Sequence, residues 1–195
     1  MRKSTIRRKT SETDIMISLN LDGSGASRIK TPIGFLSHMI ETLARHGGFD
    51  LEVRVKGDLH IDQHHLVEDT GLVLGQALAQ ALGDKKGIGR MGFFMCPMDD
   101  ALALVALDLS GRPYLKYDLR FKARKVGDLD TDLVEDFLHA FAVTLKANLH
   151  IKAVYGRSDH HKIEAVFKAL AKSLSQACSI DRASRSRIPS TKGVL

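Results

Sequence analysis

Apolar and polar residues alternate at Ile15, Ile17, Leu19 and Leu21, the period of a strand with one buried face, and Asp22-Gly23-Ser24-Gly25 ends the run in a turn. From Phe35 to His46 the spacing lengthens, so that Leu36, Met39, Ile40 and Leu43 share a helical face, and Gly47-Gly48 stops the helix. Alternation returns at Phe49, Leu51, Val53 and Val55. His64 to Leu82 is then a long helix burying Leu66, Leu72, Leu74, Leu78 and Leu82, with Gly83 where a C-terminal cap belongs.

The second half repeats this order. Residues 101 to 109 predict a strand apolar enough for burial on both faces. Gly111 turns it, and Tyr114 to Phe121 is expected to return as its hairpin partner. Thr131 to Leu145 reads as a helix, Leu149 to Tyr155 as a strand and Asp159 to Cys178 as a long helix, with caps at Asp130-Thr131 and Ser158-Asp159. Leu19, Leu21 and Gly23 align with Leu107, Leu109 and Gly111, and Met39, Leu43, Leu51 and Val53 with Phe137, Phe141, Leu149 and Ile151. A period near half the chain implies a duplicated domain, with halves at 1–88 and 89–195.

The repeat also aligns chemistry. His64, His65 and Glu68 fall opposite His160, His161 and Glu164, each set opening a long helix after a strand. Residues three and four apart share a helix face, so each Glu neighbours both of its histidines. Adjacent imidazoles leave the axis about 100° apart, so a pair serves two metal sites more readily than one. His38 and Asp136 occupy equivalent places on the shorter helices. These eight groups supply four per ion, and imidazole with carboxylate suits Mn, Fe, Co or Zn. A lone His-His pair at a helix start is ordinarily surface polarity, but two copies with the same Glu spacing at matching repeat positions are not. His60, His139 and His150 lack such support, and His46 closes a helix where a cation favours the C-terminus.

Composition narrows the classes further. The 195 residues carry a net charge of +6, which favours anionic partners without choosing among them. Aromatics are 6% with no Trp, which disfavours a single-strand binder that stacks bases. No apolar run spans a membrane, the basic N-terminus lacks a signal peptide's apolar stretch, and Cys96 and Cys178 form no disulfide framework, so the expected location is the cytoplasm.

The sequence resembles the imidazoleglycerol-phosphate dehydratase family. The matching stretches include Leu21 to Gly25, Phe35 to Met39, Gly57 to Asp69, Ser110 to Pro113, Asn148 to Ile151, Asp159 to Ala169 and Ser190 to Leu195, in the family's order from about Arg7 onward. The resemblance implies an α+β fold of two similar halves, each a mostly antiparallel β-sheet packed on two helices, akin to domain 2 of ribosomal protein S5. It implies two Mn2+ ions per active site, sites shared between subunits and a homo-oligomer of 24 copies built from trimers. Its monofunctional form would dehydrate imidazoleglycerol phosphate to imidazoleacetol phosphate in histidine biosynthesis, through a metal-stabilised imidazolate and a diazafulvene. Neither nucleic acid nor a membrane is an expected partner.

The same resemblance assigns acid–base work to Glu12, and substrate phosphate to Arg90, Arg112, Lys168, Ser190 and Lys192, with His46 on that side. Several members carry His where this chain has Asp136, and a carboxylate is also a competent Mn ligand. The rival classes are an S5-like RNA-binding protein, expected to bind RNA in a salt-sensitive manner without metal, a non-catalytic metal-stabilised shell, and a two-metal hydrolase.

Overall fold

The computed structural model describes residues 2–181, 183 and 186–195. The first half runs β1 (Lys3–Lys9), β2 (Thr13–Asn20), β3 (Ser27–Lys30), α1 (Gly34–Gly47), β4 (Asp50–Gly57) and α2 (His64–Leu82). The second runs β5 (Met91–Met98), β6 (Ala101–Asp108), β7 (Tyr114–Asp118), a short pair β8 (Lys125–Val126) and β9 (Leu129–Asp130), α3 (Leu133–Leu145), β10 (Asn148–Tyr155) and α4 (Asp159–Cys178). The sheets have orders β1-β2-β4-β3 and β5-β6-β10-β7, so the halves share one topology. Each is antiparallel apart from one parallel pair, β3 with β4 and β7 with β10. The fold is α+β with two similar half-domains, as expected from the sequence.

Three expectations need correction. Tyr114 to Phe121 does not form a hairpin with β6; β7 pairs parallel to β10, Tyr114 opposite Asn148. The hairpin position beside β6 is held by β5, in register from Met91 opposite Asp108 to Met98 opposite Ala101, and β10 takes the other edge. β6 is buried on one face only, because the chain supplies helices to just one side of each sheet: Ala101, Ala103, Val105 and Leu107 are buried while Leu102, Leu104 and Ala106 are half-buried. Finally, α3 is capped by Asp132, just past the expected pair, whereas Ser158 caps α4 as expected, its hydroxyl accepting from His161 N at 3.3 Å.

The helices form the layer between the sheets. Glycines let α2 and α3 meet backbone to backbone: a Cβ at Gly71 would stand 2.4 Å from the Phe137 carbonyl oxygen, and one at Gly75 2.1 Å from Thr144 Oγ1. The core runs through both halves, from Ile15, Ile17 and Val53 to Phe137, Phe141 and Leu174. Asp69, buried beside the candidate ligand Glu68, takes a 2.5 Å hydrogen bond from Thr13 Oγ1 and an ion pair from Arg8, which fixes the start of α2 to the β1–β2 hairpin. Among the described residues no helix is long and apolar enough to cross a membrane.

The two outer sheet faces differ in kind. On the first sheet they carry Arg7, Arg28, Lys30, Arg54 and Lys56 around a shallow concavity. On the second they carry Met91, Phe93, Met95, Tyr114 and Tyr155, all more than half exposed.

Candidate metal centre

The paired histidines part as the helical geometry demands. His160 turns toward α1, its Nε2 3.2 Å from Glu164 Oε2, and His38 Nε2 lies 3.4 Å from the same oxygen. Ligand atoms of His38, His160 and Glu164 all lie within 4.8 Å of one another, a spacing that one ion can bridge. Glu164 is buried; burial pushes its carboxyl up, but Lys168 (Nζ to Oε1, 2.9 Å) and His38 pull harder, and the net effect is below the ordinary value.

The repeat places the equivalent residues near one another on α2 and α3, although among the described residues only the first set has its ligand atoms all within 4.8 Å, and His64 faces its two carboxylates through different nitrogens. His64 Nδ1 lies 3.4 Å from Asp136 Oδ2 and His64 Nε2 3.8 Å from Glu68 Oε2. This group is looser than the first cluster, but it uses equivalent positions and the same donor types. Each group draws on both halves: His38 of the first half joins His160 and Glu164 of the second, and Asp136 of the second joins His64 and Glu68 of the first.

His65 and His161 face away from both. His65 Nδ1 meets Asp58 Oδ2 at 3.1 Å, with Glu12 Oε2 at 3.9 Å; Asp58 lifts this imidazole above its ordinary pKa. His161 Nδ1 meets Asp100 Oδ1 at 2.5 Å, and its Nε2 lies 3.6 Å from Asp99. The bond from His161 holds the Asp100 carboxyl well below the usual carboxylate range, helped by the Ser158 and Arg157 amides. Neither Asp58 nor the Asp99-Asp100 pair stood out in the sequence. Aligning Asp100 onto Glu12 in the repeat register was the signal that could have found it.

The residues expected at phosphate divide into two places. His46 faces α4, where burial first and then Lys168 and Lys172 lower its pKa. Lys168, one turn past Glu164, spends its ammonium on that carboxylate. Arg90 is elsewhere: it forms a forked pair with Asp108 (2.7 and 3.0 Å) and donates to the Pro189 carbonyl at 2.9 Å. Arg112 is exposed in the connection after β6, where the neighbouring Gly111 abuts Leu195. Lys192 N donates to Ser190 Oγ at 3.2 Å, so the tail is ordered by its own turn. Arg90 N bonds the Ala177 carbonyl near the far end of α4, about 20 Å along the helix from Glu164. His60 and His139 are exposed, and His150 stacks near Tyr114 on the outer sheet face.

The family model described as imidazoleglycerol-phosphate dehydratase matches residues 31–174. The protein of that name from Methylorubrum extorquens is 51% identical over 195 residues, covering 100% of both chains, and that from Koribacter versatilis is 53% identical over the same span. Among solved structures, imidazoleglycerol-phosphate dehydratase from Staphylococcus aureus superposes with a TM-score of 0.83 at 37% identity, covering 92% of this chain and 99% of that one. The Pyrococcus furiosus protein in complex with (S)-C348 gives 0.84 at 37% identity, covering 97% and 100%. With full-length relatives at this identity and the same fold, the chain belongs to the imidazoleglycerol-phosphate dehydratase family, hydro-lyases of histidine biosynthesis.

Proposed function

We propose that the chain dehydrates imidazoleglycerol phosphate to imidazoleacetol phosphate in the cytoplasm, as a Mn2+-dependent homo-oligomer with two ions per active site. The observation that carries this reading is the His38, His160 and Glu164 cluster, together with the approach of His64 to Glu68 and Asp136 at the matching repeat positions. Imidazole and carboxylate without thiolate fit Mn2+. Three groups from one chain leave room on each ion for an outward histidine, His65 or His161, from a neighbour, and for substrate.

When bound, the metal supplies positive charge at the substrate's ring nitrogens, which acidifies the ring. The chain's own groups do the rest. Glu12, half exposed at the β1–β2 hairpin and 3.9 Å from His65, takes up and returns a proton at the glycerol carbons. Arg90, Arg112, Ser190 and Lys192 hold phosphate at the pole of the tail, and Lys168 and His46 meet it from the α1–α4 groove.

The separation of these groups supports assembly. The tail pole lies about 20 Å along α4 from Glu164, farther than one small phosphorylated substrate spans. One active site therefore draws its metal end and its phosphate end from different copies, the 24-mer of trimers being the expected assembly. The apolar outer face of β5, β6 and β10 gives a second copy a surface to cover, unlike the basic face of the first half.

The test is turnover of imidazoleglycerol phosphate by Mn-loaded protein, followed as keto product with and without chelator. Chelator-sensitive turnover lost in His64→Ala and His160→Ala is the expected result. No turnover with metal bound and the oligomer intact would overturn the reading.

A further inference from the structure

The duplication that copied the histidine pairs also copied the hairpins beside them, and the two hairpins have come to do different things. The register that sets Leu107 opposite Leu19 sets Asp100 opposite Glu12. Yet the two carboxylates are held quite differently. Both oxygens of Asp100 are engaged: Oδ1 accepts from His161 Nδ1 at 2.5 Å, and Oδ2 accepts from the Arg157 and Ser158 amides at 2.6 and 2.8 Å. Among the described residues, the side chain of Glu12 makes only a 3.9 Å approach to His65, and it is half exposed.

In the first half the grip on the outward imidazole belongs to another residue. Asp58, directly after β4, meets His65 Nδ1 at 3.1 Å. The register that sets Leu149 opposite Leu51 puts Gly156 opposite Asp58. A side chain cannot stand there: a Cβ on Gly156 would lie 2.7 Å from Lys162 Cγ and 2.9 Å from Ala101 Cβ. The second half thus has no space for an anchor at the strand end, and its hairpin carboxylate serves instead. The first half has that space, and its hairpin carboxylate is left without a fixed partner.

We propose that Asp58 and Asp100 are the positioning residues of the two outward histidines, and that anchoring His65 from the strand end rather than the hairpin is what leaves Glu12 free. Each carboxylate takes the Nδ1–H of its imidazole, which fixes the ring plane and the tautomer and leaves Nε2 as the metal donor, with the exposed Asp99 carboxylate 3.6 Å from that of His161. His65 Nε2 has no hydrogen-bond partner among the described residues, as this role requires. The proposal rests on the dehydratase reading only for what Glu12 does once free; the anchoring holds for any metal the outward nitrogens take.

The experiment uses the full chain with 15N-labelled histidine. In the metal-free wild type, His65 and His161 should both report the tautomer protonated at Nδ1. Asp58→Asn and Asp100→Asn should move their own histidine, and no other, toward the opposite tautomer, and should weaken Mn2+ binding measured by titration about 10- to 100-fold. Glu12→Gln should leave the tautomers and Mn2+ affinity unchanged while abolishing turnover. Asp100 also holds the backbone amides of Arg157 and Ser158, so its variant risks unfolding; the Asp58 side chain holds no other residue's amide among the described residues, so Asp58→Asn keeps the test decisive. Wild-type tautomer and affinity in Asp58→Asn would overturn the anchoring. A Glu12→Gln variant that disturbs His65 as much as Asp58→Asn does would overturn the division of labour. Loss of turnover in every protein, wild type included, with the tautomers as expected, would count against the dehydratase reading alone.

Discussion

Asp136 stands where the family resemblance leads one to expect histidine, and its Oδ2 lies 3.4 Å from His64 Nδ1. A carboxylate keeps a hard oxygen donor in that cluster, whereas imidazole would move its preference toward Zn or Co. Asp136→Ala should lower Mn2+ affinity at least tenfold, about 1.4 kcal/mol, and Asp136→His should retain binding with Zn2+ favoured. Competitive titration of the two ions checks both, and an alanine variant that titrates like wild type would remove Asp136 from the ligand set. Away from the site, Asp50 gathers donors from Ser24 N (2.8 Å), Ala26 N (3.1 Å) and Asn20 Nδ2 (3.1 Å). These bonds, the Ser24 amide first, hold its carboxyl below the ordinary value. A folded pKa below the unfolded one means that its stabilisation is present above the unfolded pKa, near 4, and is lost as pH falls through the folded value. Asp50→Asn should therefore melt lower than wild type at neutral pH, with the gap closing on acidification from roughly pH 5 to 3. Melting curves that stay parallel across that range would contradict this.

At the scale of elements, the α2–α3 crossing determines whether Asp136 reaches His64. A Cβ on Gly75 would lie 2.5 Å from the Phe141 carbonyl oxygen as well as against Thr144 Oγ1, and the backbone there cannot yield cheaply. Gly75→Ala should destabilise by about 1–3 kcal/mol in denaturant unfolding and weaken Mn2+ at the His64 cluster before the His38 cluster. Equal loss at both would mean that the crossing does not set that site. Elements with a strong hydrophobic period, β2, β4, β6, β10 and the four long helices, were legible in the sequence because period and burial coincide. β1 was not: Lys3, Thr5, Arg7 and Lys9 alternate with Ser4, Ile6 and Arg8, so its exposed and inner faces are both polar apart from Ile6. β5 was missed because Gly92 and Pro97 interrupt it and apolar residues occupy both of its faces. With β5 unseen, β7 was assigned the edge of β6 that β5 holds. The histidine pairs were legible because residue type, spacing and repeat agree. Asp58 and Asp100 were not, since an acid beside a turn has no periodic signature and its partner is chosen by tertiary packing.

For the whole molecule, the decisive geometry is that one chain keeps its histidine end and its tail end apart. Arg90, Gly111 and Leu195 gather near the end of α4, while His160 and Glu164 sit at its start. If both ends act on one substrate, each working site must join the histidine end of one copy to the tail end of another. Two variants, each inactive alone, should then complement one another. His160→Ala lacks the metal end but keeps Arg112; Arg112→Ala lacks a phosphate contact but keeps His160. Dissociated with chelator, mixed in equal amounts and reassembled with Mn2+, they should recover about a quarter of wild-type turnover, because random assembly pairs an intact histidine end with an intact Arg112 in one site of four. A site built within a single chain would recover nothing, since every chain in the mixture carries a lesion. Turnover recovered on mixing therefore cannot come from either variant refolding, and its size reports how many copies contribute to a site.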